Sequence, residues 1–335
     1  TGLSTSTIIV MSSHHWLLAW VGLELNTLSI LPLIMKSGHP RATEATTKYF
    51  LAQATAAALI LFSATMNAWE TGQWQTTAPL TPAVATMISL AIMMKLGLAP
   101  VHAWYPEVLQ GSTIITALII STWQKMAPFT LLYMMANQLP TKMLLLIGLM
   151  SALIGGWSGL NQTQTRKIMA FSSIAHVGWL LIAMSLNPNL AILTLMIYIL
   201  MTTAMFMSLN TTIMKTLTDL GTTWTQSPTL ATLTILTLFS LGGLPPLTGF
   251  LPKWLILNEL CSIKLTPLAA TLAIASLPSL YFYVRMTYLI LLTTPPNTTN
   301  MEHKWRFNSH FIPILPPTMT LTLLLLPIMP ALIMN

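Results

Sequence analysis

AIMMKLGLAPVHAW, residues 91–104, sets one lysine in an otherwise apolar run. No carboxylate lies between residues 85 and 105, and Gly97 and Pro100 follow Lys95 closely. Such a lysine belongs either to a misread segment or to a charge held inside a membrane. Composition decides between these. The 335 residues are 54% hydrophobic and 6% charged, whereas soluble domains carry about 25% charged residues. A chain this apolar cannot cover a water-facing surface. A β-barrel requires alternating polar and apolar residues, and runs such as LLLIGLMSALIGG at 144–156 do not alternate. The sequence therefore reads as an all-α polytopic membrane protein.

Working outward from Lys95, about eleven apolar segments approach the roughly 20 residues a transmembrane helix needs. They lie near 1–13, 15–35, 46–68, 79–104, 112–135, 143–160, 167–186, 190–210, 228–257, 266–291 and 311–334. The opening TGLSTSTIIVM reads as the tail of an incomplete first helix, with no cleavable presequence evident. Connections after even-numbered segments carry Lys36, Arg41, Lys48, Arg166, Lys167, Lys215, Lys304 and Arg306; those after odd-numbered segments carry Lys142 and Lys264. The positive-inside rule then places the even-numbered connections and the visible N-terminus on the cytoplasmic or matrix side, with the C-terminus opposite. The net charge of +7 is spread thinly, with no cluster to track a nucleic-acid backbone.

Lys95, Lys125, Lys253, Arg285 and Glu24 remain inside the proposed spans. A lone charge at membrane depth costs about 2.5–3.5 kcal/mol even on the lenient insertion scale, so such groups face protein or a wet cavity. Glu24 is either a neutral structural acid or a proton-binding carboxylate paired with a lysine. Lys125, in STWQKMAP, is too central to snorkel easily and reads as functional, whereas Arg285 reads as an interface anchor. His176, in a span with Ser172 and Ser173, either packs or passes protons. His102 and Glu107 form an interfacial pair or a proton entrance. His14 and His15 read as an interfacial loop with no third metal ligand.

The fourth and ninth segments carry Gly97 with Pro100 and Gly242, Gly243, Pro245 with Pro246. Glycine flexes and proline lacks an N–H. Broken backbone at membrane depth is tolerated only beside protein or a cavity, so two discontinuous helices are expected, each with a lysine near its break. Their spacing of five segments suggests two five-helix units in opposite orientation. Cys261 is the single cysteine, which excludes an intrachain disulfide and any cysteine-rich cluster. Dinucleotide, Walker and haem-attachment motifs are missing as well, so redox chemistry is expected on another chain.

The segments SSHHWLLAWVGLELNTLSILPL, HPRATEATTKYFL, KLGLAPVHAWYPEVLQG, STWQKMAP, GGWSGLNQTQTRKIMAFSSIAHVGW and SLGGLPPLTGFLPKWLI resemble the chain 2 family of vertebrate mitochondrial NADH:ubiquinone oxidoreductase. The likeness runs over essentially the whole length and implies further residues before Thr1. It implies an antiporter-like subunit of the membrane arm of respiratory complex I, in the mitochondrial inner membrane, with the N-terminus in the matrix and the C-terminus in the intermembrane space. Eleven helices are implied, with a first repeat over 1–135, an inverted second repeat over 136–291, and a loop and terminal helix over 292–335. By position, Glu24 matches the acid of the first repeat, Lys95 its central lysine, Lys125 the lysine linking two half-channels, and Lys253 the lysine of the second break. His176, Ser172 and Ser173 match a hydrated central stretch. The implied partners are other core and accessory membrane-arm subunits and phospholipids including cardiolipin, with no nucleic acid. NADH, FMN, iron–sulfur clusters and ubiquinone are implied on other subunits, and no cofactor on this chain. A free-standing cation/proton antiporter and a non-pumping scaffold remain the alternative readings.

Overall fold

The computed structural model describes residues 1–292 and 313–328, apart from residues 37 and 222. Among these the chain is helical, with only isolated bridges between His15 and Gln75 and between Gln164 and Thr216. In chain order the helices are α1 (Gly2–Met11), α2 (Trp16–Met35), α3 (Pro40–Thr71), α4 (Pro82–Leu96), α5 (Trp104–Gly111), α6 (Ile114–Ser121), α7 (Met126–Met134), α8 (Thr141–Gly159), α9 (Thr165–Leu186), α10 (Pro188–Thr211), α11 (Leu217–Leu220), α12 (Thr223–Gln226), α13 (Pro228–Gly242), α14 (Phe250–Ser262), α15 (Thr266–Leu292) and α16 (Leu315–Leu324). Six of them, α2, α3, α8, α9, α10 and α15, are long and apolar enough to cross a bilayer, and α1, α4 and α13 are shorter apolar helices. The chain is thus an all-α polytopic membrane protein.

Local chemistry sets several helix starts. Proline, whose missing N–H costs nothing in the first turn, opens α3, α4, α10 and α13. The His39 side chain accepts the Arg41 amide at 3.2 Å, and Asn187 accepts the Asn189 amide at 3.0 Å. Because α3 begins at Pro40, Arg41 and Lys48 ride on its opening turns rather than in a loop, and Arg166 and Lys167 ride on the first turn of α9. Lys304 and Arg306 lie outside the described residues, as does most of the expected 311–334 helix beyond α16.

The expected fourth and ninth spans are interrupted. The helix α4 ends at Gly97 (φ +72°), and the chain runs unwound past Pro100 to α5; α13 ends at Gly243 (φ +79°) and runs past Pro245 and Pro246 to α14. In each case two amides fold back, from Gly97 and Leu98 onto Met94 and Met93, and from Gly243 and Leu244 onto Ser240 and Phe239. This closure satisfies the terminal carbonyls and needs a left-handed residue, which glycine supplies. The fifth span differs from the continuous helix expected. It breaks at Thr122 (φ −110°, ψ −69°) into a 3-10 turn, Trp123–Lys125, before α7.

Helix α9 is innermost, with 89% of its most apolar window buried, against 39% in α2 and α3. It lies so close to α8 that a Cβ on Gly155 would stand 2.7 Å from the Ala175 amide nitrogen. Two large apolar clusters form the core. One holds Trp16, Leu23, Ile60, Leu131, Leu144 and Leu180; the other holds Ile30, Tyr49, Leu109, Ile168, Phe206 and Leu238. Helix α9 contributes Ile168–Ile174 to the second and Val177–Met184 to the first, and α2 likewise passes from Leu23 to Ile30. The clusters are therefore stacked along the helix axes, with a seam between them.

Candidate functional site

Four of the charged and polar residues singled out in the sequence fall on that seam. Glu24 lies between Leu23 and Ile30, His176 between Ile174 and Val177, Lys125 between Ile120 and Ala127, and Lys253 between Leu251 and Ile256; each pair of neighbours straddles the two clusters. The apolar periodicity of each helix is interrupted at one common level.

Lys95 sits in the last turn of α4, 6% exposed, and its Nζ has no hydrogen-bond partner among the described residues. Its carbonyl accepts Gln53 Nε2 at 3.3 Å. Glu24 is partly buried and accepts the Thr27 hydroxyl at 3.2 Å. It interacts electrostatically with Lys95, but the two make no direct ion pair: the ion pairs among the described residues join Lys48 to Glu44 and Glu107. A cavity beside Lys95 is lined by Thr27, Tyr49, Trp104, Tyr105, Gln124 and Lys125 among others, and offers water centres about 10 Å³, space for about one water. Trp104 Nε1, which shares this wall, is also buried without a partner among the described residues, and the Tyr105 hydroxyl beside it faces Ser173 and Tyr198. Buried polar atoms are satisfied by protein or by water, so the chemistry of this cavity is that of a water site.

Lys125, 3% exposed, forms the far wall. Its Nζ donates to the Tyr198 hydroxyl at 2.8 Å and lies 4.6 Å from the Tyr198 ring centroid and 5.1 Å from that of Tyr105. Both ring faces attract a cation. Tyr198 lies against His176, with centroids 5.8 Å apart, and His176 Nε2 meets the Tyr283 hydroxyl at 3.4 Å. The charges of Lys253 and Lys125 both act on His176. Ser172 and Ser173 give their protons to the Met169 and Ala170 carbonyls at 2.8 and 2.7 Å, and interact with Tyr283 and with Tyr105 and Tyr198 respectively. Lys253 crosses the face of Gly243 and donates to the Gly242 carbonyl at 2.8 Å.

A broken line of polar groups therefore runs from Glu24 and Lys95 through Lys125, Tyr198, His176 and Tyr283 toward Lys253. Sequence reading found the lysines and the histidine. It missed Tyr105, Tyr198 and Tyr283, whose rings look like ordinary apolar filler in a span; the signal was a hydroxyl in the middle of one. His102 and Glu107 do not pair. His102 Nδ1 lies 3.2 Å from the Pro100 carbonyl, while Glu107 pairs with Lys48 at 2.7 Å. His15 caps α2 and stacks on Trp74, and Arg285 donates to the Leu160 carbonyl at 2.7 Å.

The family described as NADH:quinone oxidoreductase/Mrp antiporter, TM, matches residues 13–278, and NADH dehydrogenase subunit 2 C-terminus matches residues 280–333. The NADH-ubiquinone oxidoreductase chain 2 of Xenopus laevis is 54% identical over 309 residues, covering 92% of this chain and 90% of that protein. The corresponding protein of Gallus gallus is 53% identical, over 98% and 94%. Among solved structures, a chain of respiratory complex I from Thermus thermophilus with bound aureothin superposes with a TM-score of 0.87 at 27% identity, covering 99% of this chain and 77% of its own. A chain of the Mrp complex from Dietzia sp. shares the fold, with a TM-score of 0.79 at 17% identity over 89% and 61%.

Proposed function

Because the chain belongs to the NADH:quinone oxidoreductase/Mrp antiporter family of membrane subunits, we propose that its buried polar seam carries protons within respiratory complex I. The chain is a core membrane-arm subunit of NADH:ubiquinone oxidoreductase and works as a non-catalytic part of that larger enzyme, alongside other membrane subunits. The observation that carries the proton reading is the near-continuous line Lys125–Tyr198–His176–Tyr283, held between two lysine-bearing helix breaks at the level where two apolar clusters meet.

In this reading the two interrupted helices are equivalent members of inverted five-helix units over 1–135 and 136–291, with 292–335 added outside them and eleven spans in all. Arg41, Lys48 and Lys167 line one cleft at one end of the bundle, together with Glu44 and Glu107, which pair with Lys48. That basic end is the matrix side of the mitochondrial inner membrane, with Thr1 beside it and the C-terminus in the intermembrane space. Accessory subunits and phospholipids, cardiolipin among them, cover the exposed apolar faces. Other chains hold the FMN, iron–sulfur clusters and quinone that run the redox chemistry.

The mechanism is electrostatic. Quinone reduction elsewhere sends a charge or conformational signal into the arm and alters the distance between Glu24 and Lys95. A nearby carboxylate holds a buried lysine as ammonium, and its withdrawal in dry surroundings favours release of the proton. The proton then passes by water to Lys125 and by way of His176 toward Lys253. Gly97, Pro100, Gly242, Gly243, Pro245 and Pro246 keep the breaks open, and Ser172 and Ser173 line the middle of the path. The test is NADH-driven proton uptake by the whole complex in vesicles. Lys95→Ala and Glu24→Ala are expected to lower protons moved per NADH several-fold in assembled enzyme. Native yield with native NADH oxidation in both variants removes the relay and leaves a scaffold.

A further inference from the structure

We propose that Tyr198 is a positioning residue that fixes the direction from which Lys125 takes up its proton; the inference rests on the relay reading above. The argument starts at the break in the fifth span. Past Ser121 the backbone leaves α-helical geometry at Thr122, and the Lys125 amide turns to the Thr122 carbonyl at 3.3 Å. In an unbroken α-helix that amide bonds the carbonyl four residues back, which is Ser121. The break therefore frees the Ser121 carbonyl at membrane depth, where an unmet polar group is costly. The Tyr198 hydroxyl donates to it at 3.0 Å.

A phenol has one proton to give. With that proton on Ser121, Tyr198 shows only lone pairs to Lys125 Nζ at 2.8 Å, so for as long as the Ser121 bond holds, Lys125 donates to it whether charged or neutral. A neutral amine held in this way keeps one N–H on Tyr198 and carries its lone pair elsewhere. The faces of Tyr105 and Tyr198 are electron-rich and repel a lone pair. The direction that remains is the cavity that Lys125 shares with Lys95. A proton thus reaches Lys125 from the Lys95 side.

Onward passage is closed in the same arrangement. For the Lys125 proton to pass to the Tyr198 oxygen, the tyrosine must release its own proton, and a backbone carbonyl accepts a hydrogen bond without relaying a proton further. The O–H must first rotate off Ser121, toward His176, whose ring packs against Tyr198, or toward the Tyr105 hydroxyl and Ser173, which also face it. Tyr198 then acts as a gate between the first and second halves of the path. A merely space-filling tyrosine predicts no such directionality.

The test uses the intact complex in vesicles and follows NADH-driven proton translocation against pH. Tyr198→Phe keeps the ring and its cation–π face and removes the acceptor. Losing a hydrogen bond to a charged group is expected to move the alkaline limb to lower pH by about one unit and to lower protons per NADH while NADH oxidation continues. An unmoved limb with native proton yield overturns the inference. Lys125→Ala separates the two levels: native yield there removes the relay itself, whereas lost yield there with an unmoved limb in Tyr198→Phe removes only the gate. If Tyr198→Phe does not assemble, maps of the native complex on either side of the limb decide. Tyr198 oxygen within hydrogen-bond reach of both Ser121 and Lys125 on each side supports the gate. Contact with neither on either side overturns it.

Discussion

The two interrupted helices close alike and hold their lysines differently. At each break a glycine turns left-handed and two amides fold back to seal the helix end. In the first break the lysine lies before the glycine, inside the last turn of α4, with no hydrogen-bond partner for its Nζ among the described residues. In the second it lies beyond the break, on α14, and reaches back to the Gly242 carbonyl. Both lysines lie by a helix C-terminus, where the gathered carbonyl ends favour a cation, but only Lys253 bonds one of those carbonyls, whereas Lys95 depends on Glu24 and water. The same backbone device thus yields one poised lysine and one anchored lysine.

The largest expected effect comes from filling the second break. A Cβ at Gly249 would overlap the Ser240 carbonyl, which is backbone and cannot swing aside. Gly249→Ala is expected to abolish assembly, measured as loss of the subunit from purified complex. The break glycines come next. A Cβ at Gly97 would press on the buried Tyr105 side chain and the partly buried Trp104 ring at 3.1–3.3 Å, whereas the nearest atoms to one at Gly243 belong to the flexible end of Lys253. Forcing an L-residue into left-handed backbone costs about 1–2 kcal/mol at either site. Gly97→Ala is therefore expected to lower the local stability read by hydrogen exchange more than Gly243→Ala, and the reverse order would break the comparison.

The lysines themselves are expected to act with opposite sign. Lys95→Met removes a buried cation whose cost at membrane depth water and the Glu24 charge offset only in part, and should stabilise its segment by about 1–3 kcal/mol. Lys253→Met removes a favourable helix-end contact and should destabilise by about 0.3–1 kcal/mol. Exchange protection in α4 and α13 reads both; equal signs would show that Lys95 is as well satisfied as Lys253.

The smallest effect lies away from both breaks. Burial pushes the Asp219 carboxyl up, but hydrogen bonds from Thr216 and from the Lys215 amide outweigh it and hold the carboxyl below its ordinary value. The unfolded chain then binds the proton more readily. The contribution is present above the ordinary carboxylate range and is lost as pH falls through the lowered folded value. Asp219→Asn should cost about 0.5–1 kcal/mol at neutral pH and flatten the acid loss of protection around Leu217–Leu220.

Much of this contrast is legible in the sequence because membrane depth makes a polar residue conspicuous. Lys95, Lys125, Lys253, His176 and Glu24 each stand alone in apolar runs, and Gly97–Pro100 and Gly242–Pro246 announce their breaks through backbone chemistry. The break at Thr122 was harder to read: the TWQK stretch holds neither glycine nor proline, and its one signal is Pro128, which fits the first turn of α7. The tyrosines were hidden for another reason. Tyr105, Tyr198 and Tyr283 come from α5, α10 and α15, and only packing shows that their hydroxyls meet one seam. Lys48 looked like a loop charge because a long helix that overruns the bilayer keeps its first turns in water.

The most direct test of the central claim is a high-resolution map of the intact complex that resolves water along the seam. Ordered water bonded to Lys95 Nζ, and bridging it through the cavity by Trp104 Nε1 and the Tyr105 hydroxyl toward Lys125, is the predicted result. A dry gap, with Lys95 Nζ packed against aliphatic carbon and no water between the two lysines, would contradict a proton path along this seam.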